Sequence, residues 1–84
     1  MPRDPRAYLS DVIDACDAIG VALENVDLEG YRQSRLIRSA VEREFITIGE
    51  AVSALSSAAP HLFSRISDAR RIVDFRNQLT HEYL

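Results

Sequence analysis

The apolar residues of this chain recur every three or four positions almost from end to end, and that spacing commits it to helices packed on helices. Tyr8, Leu9, Val12, Ile13, Cys16, Ile19 and Leu23 form one such row. A 3.6-residue period puts them on one side of a helix, and Asp11, Asp14, Asp17 and Glu24 sit mainly off it. Asp4 can cap this helix and Pro5 suits its first position, so a helix is predicted over about residues 5–25. Gly20 is a mild interior weakness in it.

Residues 26–33 read as a connection with one short helical turn opened by Asp27, and Gly30 argues against a long helix there. Leu28 and Tyr31 are available to tuck back onto the core. A second long helix is predicted from Ser34 or Arg35 to Ser57, with an apolar face of Leu36, Ile37, Ala40, Val41, Phe45, Ile48, Val52 and Leu55. Ile46 and Ala51 widen that face, which suits a helix with two neighbours. Pro60 stops it, and residues 58–66 form a link that offers Leu62, Phe63 and Ile66 to the core. A third helix is predicted from a Ser67 cap, with Asp68 in its first turn and Ile72, Phe75 and Leu79 facing inward. No strand-like alternation, repeat or low-complexity tract is present. The expectation is all-α: two long antiparallel helices plus a shorter third, packed up and down as one domain over residues 1–84.

Composition narrows the function classes. The net charge is −3, and all ten basic residues are Arg. Residues 1–33 hold three Arg and seven acids, residues 34–60 three of each, and residues 61–84 four Arg and three acids. The last third is the segment least hostile to a polyanion, yet it is no general nucleic-acid-binding patch, so any RNA contact is local. One cysteine, Cys16, excludes an internal disulfide, and its place in the first apolar row predicts inert packing. The opening MPRDPRAY lacks the apolar core of a secretory signal, and no apolar run approaches the ~20 residues of a membrane helix. A cytoplasmic protein is expected. Glu42, Glu44 and Glu50 lack the His partners of a helical metal site, and no Gly-rich phosphate loop occurs, so neither a metal nor a nucleotide cofactor is expected. His61, after Pro60, is predicted to lie on the surface.

The chemistry concentrates in Arg76-Asn77-Gln78-Leu79-Thr80-His81-Glu82-Tyr83. Asn77 and His81, four apart, share a helical face. Arg76 and His81, five apart, are roughly 140° around an ideal helix, so either the Arg side chain reaches across or the helix loosens at His81. A 2′-hydroxyl can attack its neighbouring phosphate without a metal, given a base, an acid and a cation for the developing charge. An imidazole, with an ordinary pKa of about 6.5, can be acid or base near neutral pH. A guanidinium grips phosphate through two hydrogen bonds. One chain offers one histidine in this cluster; two chains about a two-fold axis offer two, which predicts a site shared across a dimer interface. On spacing alone, a helix-borne Arg, Asn and His are more often a solvated or capping set.

The segment RNQLTHEY resembles the Arg-polar-x3-His-x-Tyr signature of the HepT-like branch of the HEPN superfamily. Tyr8-Leu9-Ser10-Asp11-Val12-Ile13-Asp14-Ala15 looks like that family's opening helix, and Ile48-Gly49-Glu50-Ala51, preceded by Ala40-Val41, looks like its second-helix signature. Three stretches in order, from Tyr8 to Tyr83, make the resemblance specific. It implies a HEPN-type bundle and a metal-independent endoribonuclease toxin that works as a homodimer on RNA, within a type VII-like toxin–antitoxin pair. By position, Arg76 and His81 are then catalytic and Asn77 supports them. The family's antitoxin is a minimal nucleotidyltransferase that transfers AMP to the motif tyrosine, here Tyr83, placing negative charge beside Arg76 and His81. The chain ends just past the motif where the family continues into a further helix, which leaves apolar faces open. Residues 60–63 lack a tryptophan common in relatives, and Phe63 is expected to fill its space. The alternative in another class is a non-catalytic helical partner of a nucleotidyltransferase, and a third is a helical dimer without activity.

Overall fold

The computed structural model describes residues 3–82, and it is all-helical, with no strand among the described residues. Five helices follow in order: α1 over Pro5–Ala22, α2 over Leu28–Gln33, α3 over Arg35–Ala58, α4 over Pro60–Phe63 and α5 over Ala69–Glu82. The expected plan of two long helices and a shorter third is α1, α3 and α5. Tyr83 and its neighbour lie outside the described residues.

The helix starts follow local chemistry. The Asp4 carboxylate accepts from the Arg6 backbone N–H at 2.9 Å, with Pro5 at the first helical position. The Arg6 guanidinium also donates to Asp4, and these bonds hold the carboxyl down at about 2. α1 ends three residues earlier than expected: Leu23 closes it, and Asn25 takes a left-handed φ of 59°, which its short polar side chain tolerates. Asp27 caps α2 by accepting from the Gly30 N–H at 2.7 Å. Ser34 caps α3 by accepting from Ile37 N–H at 3.1 Å. The Arg38 guanidinium donates to the Arg32 and Tyr31 carbonyls and ties the end of α2 to the start of α3.

α3 is the shared wall. Tyr8 and Pro5 of α1 line one hollow with Ala54 and Ala58 of α3, whereas Val12 and Cys16 lie beside Ile48 and Phe45. Residue numbers rise on one helix as they fall on the other, so α1 and α3 are antiparallel. α5 also runs antiparallel to α3 and shares its Phe45–Ile48 stretch with α1, with Phe75 meeting Phe45 edge-to-face at 5.4 Å between ring centroids. Ala15, Ile48, Val52 and Ala69 form the buried centre, and Val12, Ile19, Phe63, Ile66, Ile72 and Val73 close around it. Phe63 thus fills the end of the core as expected. Leu55 and Val52 are sealed, at 0% and 1% exposure.

Several expected details differ. Ala15, not Cys16, is the buried residue of α1; Cys16 is exposed and Ile13 is 61% exposed. A methyl-sized side chain lets α1 approach α3 closely, which turns the bulkier apolar residues to the flanks. Cys16 borders an open apolar groove of about 370 Å³ with Val12, Phe45, Ile48, Arg71, Ile72 and Phe75, rather than packing inertly. Leu36 at 82%, Leu28 at 66% and Phe75 at 43% are also exposed. Residues 58–66 are not a plain link: Pro60 ends α3 and, with its fixed φ, opens the short α4. Ser67 does not cap α5. Asp68, with φ 59°, flanks it, and its carbonyl accepts from Ile72 N–H at 3.0 Å.

Candidate active site

α5 has an inward row with one foreign member. Ala69, Ile72, Val73, Leu79 and Thr80 are buried or half-buried against α3, and Arg76 falls in phase with them. Its stem crosses α3 at Gly49, which is itself buried. A β-carbon placed on Gly49 would fall 2.7 Å from the Arg76 Cγ and closer still to its Cβ. The two helices therefore touch here backbone to side-chain stem, with no room for a methyl group. The seam encloses the Arg76 Nε, which is buried and has no hydrogen-bond partner among the described residues. An N–H left this way costs about 1–3 kcal/mol, and native proteins keep few of them outside functional sites.

The helix does not loosen at His81: α5 continues to Glu82. Arg76 and His81 keep their roughly 140° separation, with about 7.5 Å of rise between them. His81 is exposed on the outer flank, Asn77 is half-buried between the two, and no hydrogen bond or ion pair joins Arg76 to His81. One chain therefore sets the cation at the helix seam and the imidazole on an open face, and it does not bring them together. The Thr80 hydroxyl donates to the carbonyls of Arg76 at 3.1 Å and Asn77 at 3.0 Å, which ties the turn carrying both residues. The expected place of Tyr83 lies outside the described residues. No His, Cys, Asp or Glu cluster among the described residues could hold a metal ion, and no described helix is long and apolar enough to cross a membrane. His61 is on the surface as expected.

Sequence reasoning missed Gly49 and Thr80 as parts of this region. For Arg76 a signal existed: a charged residue in phase with Ala69, Ile72 and Leu79 is out of place on a core row.

Residues 12–84 match the family described as ribonuclease HepT-like. Among curated proteins, "Putative RNase MJ1380" of Methanocaldococcus jannaschii is 27% identical over 81 residues, covering 96% of this chain and 73% of that protein. "Putative RNase MJ1216" of the same organism is 28% identical over 81 residues, covering 96% of this chain and 66% of its own length. "Putative RNase TTE0752" of Caldanaerobacter subterraneus subsp. tengcongensis is 26% identical over 81 residues, 96% of this chain and 71% of the relative. The relatives are thus longer than the segment they share with this chain. No solved structure matches it.

Proposed function

The chain belongs to the HepT-like ribonuclease family, and from that premise we propose that it is a metal-independent endoribonuclease whose centre is Arg76 and His81, completed by a second copy of the chain. The observation that carries the proposal is the Arg76 guanidinium, held at a helix seam with a buried Nε that has no hydrogen-bond partner among the described residues. A structural arginine in such a seam finds a carboxylate or carbonyl. This one leaves its Nε–H without such a partner among the described residues, which suits a guanidinium that serves a ligand.

The chemistry follows from the groups. A base removes the proton of a ribose 2′-hydroxyl, and the oxygen attacks the adjacent phosphorus. The new P–O2′ bond forms as the P–O5′ bond breaks, and an acid protonates the departing O5′. The products are a 2′,3′-cyclic phosphate and a 5′-hydroxyl. Arg76 stabilises the charge that builds on the phosphoryl oxygens, and Asn77 supports it from the next position. Base and acid are two His81 imidazoles, one from each copy. The exposed flank of α5 that bears His81 is where the copies meet.

In this reading the protein is a cytoplasmic toxin restrained by a minimal nucleotidyltransferase. AMP on Tyr83 adds a phosphodiester beside Arg76 and His81, fills the phosphate site and repels RNA.

The test is cleavage of a mixed RNA in excess chelator by wild type, Arg76→Ala and His81→Ala, with the chain ends analysed. Cleavage by wild type alone, leaving 5′-hydroxyl ends, with helicity and oligomeric state equal in all three, supports the proposal. Cleavage that survives either substitution overturns it. An inert wild type that binds a nucleotidyltransferase supports the non-catalytic partner instead.

A further inference from the structure

We propose that Gly49 is a positioning residue for Arg76: the missing side chain at this one place in α3 sets how deep α5 sits, and so fixes the height and direction of the guanidinium. This rests on the ribonuclease reading above.

The geometry is specific to the pair. The atoms that a β-carbon at residue 49 would meet first are the Arg76 Cβ and Cγ, with the Ile72 carbonyl oxygen next at 3.4 Å. The last is an ordinary contact; the first two are far inside the ~3.5–4.0 Å at which carbon atoms rest. They are also the stem of the side chain, anchored to the α5 backbone, and not a flexible tip that could swing away. A methyl group at 49 therefore moves the whole of α5 outward at Arg76, and it opens the seam that seals Nε. The guanidinium leaves the phosphate it is aimed at. Gly20 is the internal control. It also lies inside a helix, yet a β-carbon there meets nothing within 4 Å.

The experiment compares wild type, Gly49→Ala and Gly20→Ala by RNA-cleavage kinetics, and by NMR of the arginine Nε–H groups with 15N labelling. Misplacement of a reacting group by about 1 Å can cost on the order of 100-fold. Gly49→Ala is expected to lose kcat on that scale with KM within a few-fold, and to lose the slow exchange of the buried Arg76 Nε–H. Gly20→Ala is expected to match wild type in both. A Gly49→Ala variant with wild-type kcat, or with its protected Nε–H retained, overturns the inference and leaves the ribonuclease reading standing. If wild type and Gly20→Ala are both inert, the ribonuclease reading fails by itself, and the Nε–H comparison still decides whether Gly49 holds Arg76. Should Gly49→Ala not fold, the double variant Gly49→Ala/Arg76→Gly removes the colliding stem. Recovery of folding to the level of Arg76→Gly alone supports the pairing, and a double variant that stays unfolded refutes it.

Discussion

Around Ile48 and Val52 of α3, α1 contributes Val12, Ala15 and Ile19 to the core. α5 begins in the same manner with Ala69, Ile72 and Val73 in that cluster, then sets Arg76 into the row against a glycine. The first seam follows the ordinary rule for a helix pair. The second breaks it twice, with a glycine facing the Arg76 stem and a buried N–H that has no acceptor among the described residues. A seam that departs from packing rules at two facing positions has been shaped by something other than stability. The contrast between the seams is the reason the proposed site is centred on Arg76.

That contrast can be broken in several ways. The largest effect is expected at His81, whose removal should lower cleavage by about 10²–10⁴-fold. Because the side chain is exposed, the same His81→Ala variant should melt within about 0.5 kcal/mol of wild type. A large fall in both would make His81 a structural residue. Next is Leu55→Ala, fully sealed in the last turn of α3, which should cost about 2–5 kcal/mol in urea unfolding. A loss below 1 kcal/mol would mean that α3 is not the wall on which the other helices depend. Gly20→Ala should go the other way and stabilise α1 by roughly 1 kcal/mol, since the new methyl meets nothing and a helix-interior glycine is removed. A destabilised Gly20→Ala would erase the distinction between the two glycines.

The smallest effect concerns the α1 cap. Asp4 is held at about 2, below its ordinary 3.8, by the Arg6 guanidinium and backbone N–H. The unfolded chain therefore takes up this proton at a higher pH than the folded one. The contribution of the charged cap is fully present above pH 3.8 and is lost as pH falls through about 2. The melting difference between wild type and Asp4→Asn should be flat above that window and vanish below it. A difference that persists at the acid end would assign it to something other than the carboxylate charge.

Much of the fold was legible because it rests on short-range signals. Asp4 with Pro5, Asp27 and Ser34 announce three helix starts within a few residues of where they occur. The apolar period gives the rows but not which member of a row lies deepest. Ala15 takes the place expected of Cys16 because close approach of two helices rewards the smaller side chain, a property of the pair and not of α1. That Asp68, not Ser67, immediately precedes α5 turns on a left-handed backbone at Asp68. For the site, residue types and resemblance named Arg76, Asn77 and His81, and the roughly 140° between Arg76 and His81 was fixed once α5 proved continuous. Gly49 could not be read off as its counterpart, since the contact joins residues 27 positions apart and depends on where two helices cross.

In the proposed reading, Arg76 sits in its seam at the expense of the fold and for the sake of a phosphate. Arg76→Met tests this directly, because it keeps the stem and removes the unsatisfied N–H. The expected result is complete loss of RNA cleavage with a melting temperature raised by roughly 4–8 °C, as relief of about 1 kcal/mol implies for a chain of this size. A variant that melts several degrees lower than wild type, or that still cleaves, would contradict it.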